Sequence, residues 1–269
     1  NIMLSDCIQL EGKGHDFASG FFVDNIAAGV VCDGVSSTFD PAYGAKTVGS
    51  LIVGEINDYL QKEETICYYN VYKKAVERLC DEAYSYESSE GESRKSIFAT
   101  TVVSAVLKDK NVEFSYCGNG GIIEVRKEWF ELPEEIPTPW GVTQYLNPHS
   151  RYVNGENKLY KAVKASQDEN IWVPEKVKLE LTKEMQSYFV ICSDGLYSSD
   201  EISTGWDEGT NQYFLIENQR LIVFLKLLRK HHQEQWQNRD RFAIEYRNSL
   251  ESSKLLNDDL SYVLFIPEP

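Results

Sequence analysis

The six cysteines of this 269-residue chain contain no CxxC pair, and no apolar run approaches the roughly 18–20 residues that a membrane helix needs. The first absence argues against a zinc ribbon or a disulfide scaffold. The thiols stand at 7, 32, 67, 80, 117 and 192, several within apolar segments, so free buried cysteines in a reducing compartment are expected. No membrane span is expected, and the N-terminal residues carry no signal-peptide pattern, so a cytoplasmic location is the natural reading. Basic residues are also scarce. Against 42 Asp and Glu there are 27 Lys and Arg, a formal net charge of -15 whose field opposes nucleic acid and anionic lipid. GxxxxGK[ST] is missing, and no basic recognition motif appears. No Pro/Gly/Ser-rich linker divides the chain, so residues 1–269 read as one domain, with a monomer the simpler assembly.

What is present is ample core material: 42% hydrophobic residues, including 16 tyrosines and 12 phenylalanines. Phe21–Val23 and Ile26–Cys32 read as strands joined at Asp24-Asn25. The period then changes, because Val48, Ile52, Ile56 and Leu60 recur every four residues along one helical face. Val71, Tyr72, Ala75, Val76, Leu79 and Cys80 predict a second long helix, followed by a polar loop over 85–95. ATTVVSAVL (99–107), VEFSYC (112–117) and IIEV (122–125) are spaced as an antiparallel meander. The segment 130–174 holds five of the eight prolines and reads as loops and short strands. Strand 190–192, helices over 213–230 and 240–252, and a closing strand 260–266 complete the pattern, a layered sheet-and-helix architecture.

Three of these strands break at acids: VVCDG ends on Asp33-Gly34, VICSDG on Asp194-Gly195, and NDDLSYVLFI begins with Asp258-Asp259. Asp-Gly is first of all a turn signal. Carboxylates brought together in one core repel one another and resist burial, and a divalent cation removes both penalties. An all-oxygen donor set suits magnesium or manganese better than zinc.

The order CDG, a TT-containing strand, GNGG, SDGL and DDLS before VLFI resembles the protein phosphatase 2C family of metal-dependent serine/threonine phosphatases over almost the whole chain. The resemblance implies an α+β fold: a four-layer α/β/β/α sandwich with two central, mostly antiparallel sheets and helical pairs outside. It implies hydrolysis of phosphoserine or phosphothreonine in a phosphorylated protein substrate by water activated on two Mg2+ or Mn2+ ions. Asp33 would bridge the ions, the Gly34 carbonyl would bind the first and Asp194 the second, with Asp258 a further ligand and Asp259 its follower. A shift of one residue would exchange those last two. His15 and Asp16, in GHD, match the residues that hold metal-bound water in the family.

The departures from the family pattern are specific. Glu11 falls where the family's phosphate-gripping arginine is expected, which leaves the neighbouring Lys13 as a replacement without the forked guanidinium geometry. Gly118-Asn119-Gly120 replaces Gly-Asp-Ser, and GVTQYLNPHS supplies no acid for a third metal. His15, or less favourably His149, is the candidate general acid. These losses keep open a second reading, a catalytically weak or inactive phosphatase-like domain that serves as a binding or regulatory protein.

Overall fold

The computed structural model describes residues 2–9, 13–90, 97–133, 141–181, 187–198, 203–207, 209, 212–216 and 218–267. The chain begins with β1 (Ile2–Ile8), then forms the hairpin β2 (Asp16–Val23) and β3 (Ile26–Gly34), turning at Asp24 with φ 52°. Two long helices follow, α1 (Pro41–Gln61) and α2 (Tyr68–Glu90). Strands β4 (Ala99–Lys108) and β5 (Asn111–Cys117) pair as a hairpin, but β6 (Gly121–Arg126) does not continue them as the expected meander. The positive-φ Gly118 and Gly120 turn the chain across to the other sheet, where β6 pairs with later strands and runs into the short helix α3 (Lys127–Glu131). Short strands β7 (Val142–Gln144), β8 (Ser150–Val153), β9 (Glu156–Leu159) and β10 (Val163–Lys164) precede β11 (Glu175–Glu180) and β12 (Ser187–Cys192). A separate hairpin, β13 (Ser203–Asp207) with β14 (Gln212–Ile216), leads to α4 (Gln219–Gln233), α5 (Phe242–Ser252) and the closing strand β15 (Leu260–Ile266).

The strands assemble into a five-stranded sheet, β1-β15-β12-β6-β7, and a six-stranded one, β11-β5-β4-β3-β2, with β10 joined to β4. Every described pairing between them is antiparallel. Alternation along each strand decides what its two faces touch. On β3, Ala28, Val30 and Cys32 pack with Val48, Ile52 and Ile56 of α1 and with Val71, Tyr72, Ala75 and Leu79 of α2. The opposite face of β3, Ala27 and Val31, meets Phe189 and Ile191 of β12 and Val263 and Phe265 of β15 in the core between the sheets. The remaining face of β12 and β15, including Tyr188, Val190, Tyr262 and Leu264, is covered by Phe224, Leu225 and Leu228 of α4 and Phe242, Tyr246 and Leu250 of α5. Three cores therefore separate four layers, helices–sheet–sheet–helices, as the resemblance implied.

Two boundaries differ from the sequence reading. Residues 85–90, assigned to a polar loop, continue α2, whereas 91–96 lie outside the described residues. The helix has no breaker before Gly91, Ser85 Oγ donates to the Asp81 carbonyl at 3.1 Å, and Tyr86 packs its ring on Phe39 at 4.7 Å. The helix read as 213–230 is a strand followed by a helix. Aromatic and aliphatic residues of Tyr213–Ile216 belong to β14, and α4 starts only after Asn218, whose Oδ1 accepts from the Leu221 N–H at 3.3 Å. Asparagine at that position is an N-cap, satisfying an amide that the first helical turn leaves unpaired. Of the described cysteines, Cys32, Cys117 and Cys192 are buried, but Cys67 is exposed, because it precedes α2 instead of facing a core.

Candidate functional site

The antiparallel order brings the acidic strand boundaries to one end of the two sheets. The C-terminal end of β3 lies beside the N-terminal end of β2, so Asp16 and Asp33 are register partners. In the facing sheet, Cys192 at the end of β12 pairs with Tyr262 near the start of β15, and Ser193 N–H donates to the Ser261 carbonyl at 3.0 Å. Asp194 and Asp258–Asp259 therefore occupy the same end. Asp33 belongs to the β3 face that looks into the space between the sheets, as Ala27 and Val31 do.

The carboxyl groups of Asp16, Asp33 and Asp194 follow one another closely enough that each perturbs its neighbour's ionisation, Asp16 with Asp33 and Asp33 with Asp194. Burial pushes the Asp16 carboxyl up to about 6, against opposing hydrogen bonds from Ser193, Asp33 and Ser261. Asp33 is held well above the usual carboxylate range, first by burial and then by the charges of Asp194 and Asp16. Asp194 is also raised by burial, with the Asp258 charge adding to the effect and Asn119 and Arg220 opposing it. Asp33 and Asp194 keep part of their surface open to solvent while set deep among protein atoms. The result is a partly open acidic cluster whose negative charge the protein alone neutralises only in part.

The glycine after each aspartate has a steric reason. A β-carbon on Gly195 would overlap the Asp259 carbonyl, and one on Gly34 would overlap the Pro41 carbonyl. The SDG turn thus packs directly on the backbone of the DDLS segment, and the CDG turn on the first residue of α1.

The two adjacent C-terminal acids do different things. Asp259 is buried, 4% exposed, and its Oδ2 accepts from the N–H groups of Gly14 at 2.8 Å and His15 at 3.0 Å. Asp258 is about half exposed and takes the Lys13 ammonium at 3.2 Å. His15 is clamped by its main chain, since its carbonyl also accepts from Gly34 N–H at 3.0 Å. Glu11 lies outside the described residues. His149 stands apart from the acids, buried against Tyr116 and bonded to Glu175 and Gly118.

Of three supports of the acids, the sequence reading singled out only Asn119 and missed the Ser193–Ser261 link and Arg220. Ser193 Oγ donates to Asp16 Oδ2 at 2.7 Å and accepts from Ser261 N–H at 2.9 Å, joining the two sheets at the site. Asn119 Nδ2 donates to Asp194 Oδ2 at 2.6 Å. Arg220, 6% exposed at the start of α4, donates to Asn257 Oδ1 at 2.6 Å, beside Asp258. The serines sit inside the SDG and DLS motifs and could have been singled out there. Arg220 has no motif around it, and only the fold brings it near Asp194.

The donor chemistry suits a hard divalent cation: three contiguous carboxyls at a partly open strand end, Asp258 next to them, and the buried Asn119 Oδ1, which has no hydrogen-bond partner among the described residues. The acids form a row, and among the described residues no group of three or more His, Cys, Asp or Glu side chains makes a ready ion cage.

The sequence profile described as Protein phosphatase 2C matches residues 16–226, and the chain belongs to that family. Among solved structures, one of a bacterial serine phosphatase bearing an R161K mutation superposes with a TM-score of 0.63 at 15% identity, covering 99% of this chain and 97% of the other. A serine/threonine phosphatase from Staphylococcus aureus gives 0.62 at 16% identity, with 100% and 94% covered. A serine-threonine phosphatase 2C from Toxoplasma gondii gives 0.61 at 13% identity, with 99% and 94% covered. At such identities the likeness is one of fold. No match was found among curated proteins.

Proposed function

We propose that the chain hydrolyses phosphoserine and phosphothreonine in proteins with two Mg2+ or Mn2+ ions bound at the acidic strand ends. The observation that carries this reading is the row Asp16–Asp33–Asp194 in a chain of the protein phosphatase 2C family. Asp33, the Gly34 carbonyl, Asp194 and Asp258 are the proposed ligands. Bound divalent ions would supply an activated water and neutralise charge on the transferring phosphoryl group.

The chain's own groups have separate tasks. Asn119 and Arg220 hold Asp194 toward its charged form, and Ser193 orients Asp16. Lys13, drawn toward the site by Asp258, supplies a mobile positive charge for a phosphate oxygen. His15 is the proposed proton donor to the leaving serine or threonine oxygen, its main chain fixed by Asp259 and Gly34. The net charge of -15 favours phosphopeptides flanked by basic residues.

The test is hydrolysis of an aryl phosphate and of phosphothreonine peptides, first with chelator and then with Mg2+ or Mn2+. Wild type is expected to turn over only with metal, and Asp33→Asn or Asp194→Asn to lose more than about 100-fold. A wild type that binds Mn2+ in calorimetry but hydrolyses nothing would establish the binding or regulatory reading. That outcome would agree with the missing arginine and with the engagement of Lys13 by Asp258. Absence of both turnover and Mn2+ binding would overturn the ion site altogether.

A further inference from the structure

His149 is 1% exposed although it lies in the connection between β7 and β8. Two hydrogen bonds pair it with Gly118: its Nδ1 accepts from the Gly118 N–H at 3.0 Å, and its own main-chain N–H donates to the Gly118 carbonyl at 2.9 Å. Because Nδ1 accepts, the proton of the neutral ring is on Nε2, which donates to Glu175 Oε1 at 2.8 Å. The Tyr116 hydroxyl donates to the other oxygen of that carboxylate, also at 2.8 Å, and its ring stacks on the imidazole at 5.1 Å. The imidazole is therefore held from both ends and from one face.

Gly118 opens the turn that carries Asn119, and Asn119 holds Asp194 Oδ2. Both flanking glycines, Gly118 and Gly120, have positive φ, 115° and 119°, and the turn carries the chain from β5 in one sheet to β6 in the other. Main-chain pairing with His149 is what ties its first residue to the neighbouring loop.

We propose that His149 is a positioning residue: by its paired bonds to Gly118 it fixes the 118–120 turn, and through Asn119 it fixes the Asp194 carboxylate. Its consequence for ion binding rests on the function proposed above; its consequence for Asn119 does not.

The test compares His149→Asn with His149→Gln in the full chain. Asparagine presents Oδ1 near the place of Nδ1 and can still accept from Gly118, whereas glutamine reaches toward Glu175 and leaves the Gly118 N–H unpaired. In the metal-free protein the side-chain amide resonances of Asn119 are followed by NMR, and Mn2+ affinity is then measured by calorimetry. H149N is expected to keep the shifted, protected Asn119 amide pair and to bind Mn2+ within about threefold of wild type. H149Q is expected to collapse that pair to solvent-exposed values and to weaken Mn2+ binding by about tenfold or more, the usual effect of losing a partner behind a metal ligand. With Asn119→Ala already present, H149Q should weaken Mn2+ binding by less than about twofold further, because the two lie on one path.

Unchanged Asn119 resonances in H149Q, equal damage in H149N, or additive effects with N119A would each overturn the proposal. Should H149Q fail to fold, Glu175→Ala takes its place, loosening the Nε2 end from a half-exposed position. Collapse of the Asn119 amide pair in that variant supports the proposal, and unchanged resonances overturn it. A wild type that binds no Mn2+ overturns the ion site alone, and the NMR comparison still decides the role of His149.

Discussion

Asp258 and Asp259 are chemically identical neighbours that one strand start sends in opposite directions. Asp259, itself buried, satisfies two part-buried main-chain amides, and replacing it by alanine removes both bonds, a cost of about 1 kcal/mol or more for each. Asp258 makes an exposed pair with Lys13, a type of contact worth about 0–1 kcal/mol. Asp259→Ala is thus expected to lower the urea midpoint clearly. Asp258→Ala should leave the midpoint nearly unchanged while weakening Mn2+ binding. Urea melts and calorimetry on the two variants separate the roles, and the reverse pattern would exchange the ligand assignment. The doubled acid was visible in NDDLSYV, but the amides that claim Asp259 come from Gly14 and His15, at the far end of the sequence. Arg220 poses the same difficulty: an arginine among helix residues carries no sign that Asn257 and Asp194 will be beside it.

At the scale of elements, the strands that read clearly were those bounded by chemistry. Leu260–Ile266 is all apolar or small apart from its tyrosine hydroxyl and follows a pair of acids, and it forms a strand over that very range. Helix faces were equally legible, since Val48, Ile52 and Ile56 of α1 and Phe242, Tyr246 and Leu250 of α5 are fully buried. Boundaries failed where one pattern ran into another. Tyr213–Ile216 has the same apolar content as the start of a buried helix, and only the N-cap at Asn218 marks the true beginning of α4. Asn218→Ala is accordingly expected to cost about 1 kcal/mol of stability in denaturant melts. It should leave the β3, β12 and β15 ends in place, so that Mn2+ affinity does not change.

The whole molecule carries an electrostatic tension that solution pH exposes. Folded-state values of Asp16, Asp33 and Asp194 lie above the ordinary carboxylate value, so the folded protein holds protons that the unfolded chain releases. Their stabilising contribution is complete below the unfolded value of 3.8 and is lost as pH rises through about 6 and beyond. His149, lowered by burial, acts in the opposite sense, losing its contribution as pH falls below 6.5. The metal-free protein is therefore expected to melt at lower temperature at pH 7.5 than at pH 5, and Asp33→Asn to flatten that fall. Mn2+ should raise the melting temperature more at pH 7.5 than at pH 5, where protons compete for the same oxygens. Scanning calorimetry across that range checks both signs.

The strand between β1 and β12 is β15, which pairs Ile2 with Ile266 and also bridges to Phe189 and Cys192. Hairpins β2–β3 and β4–β5 close between near neighbours, whereas the β1–β15 seam joins opposite ends of the chain and closes a far longer loop. Asp16 and Asp33 can therefore meet while the later strands are still being synthesised, but Ser193 and Asp194 find their backbone support only when β15 slots in. A nascent chain would carry only half of the acidic site until the strand that follows Asp259 emerges and completes it.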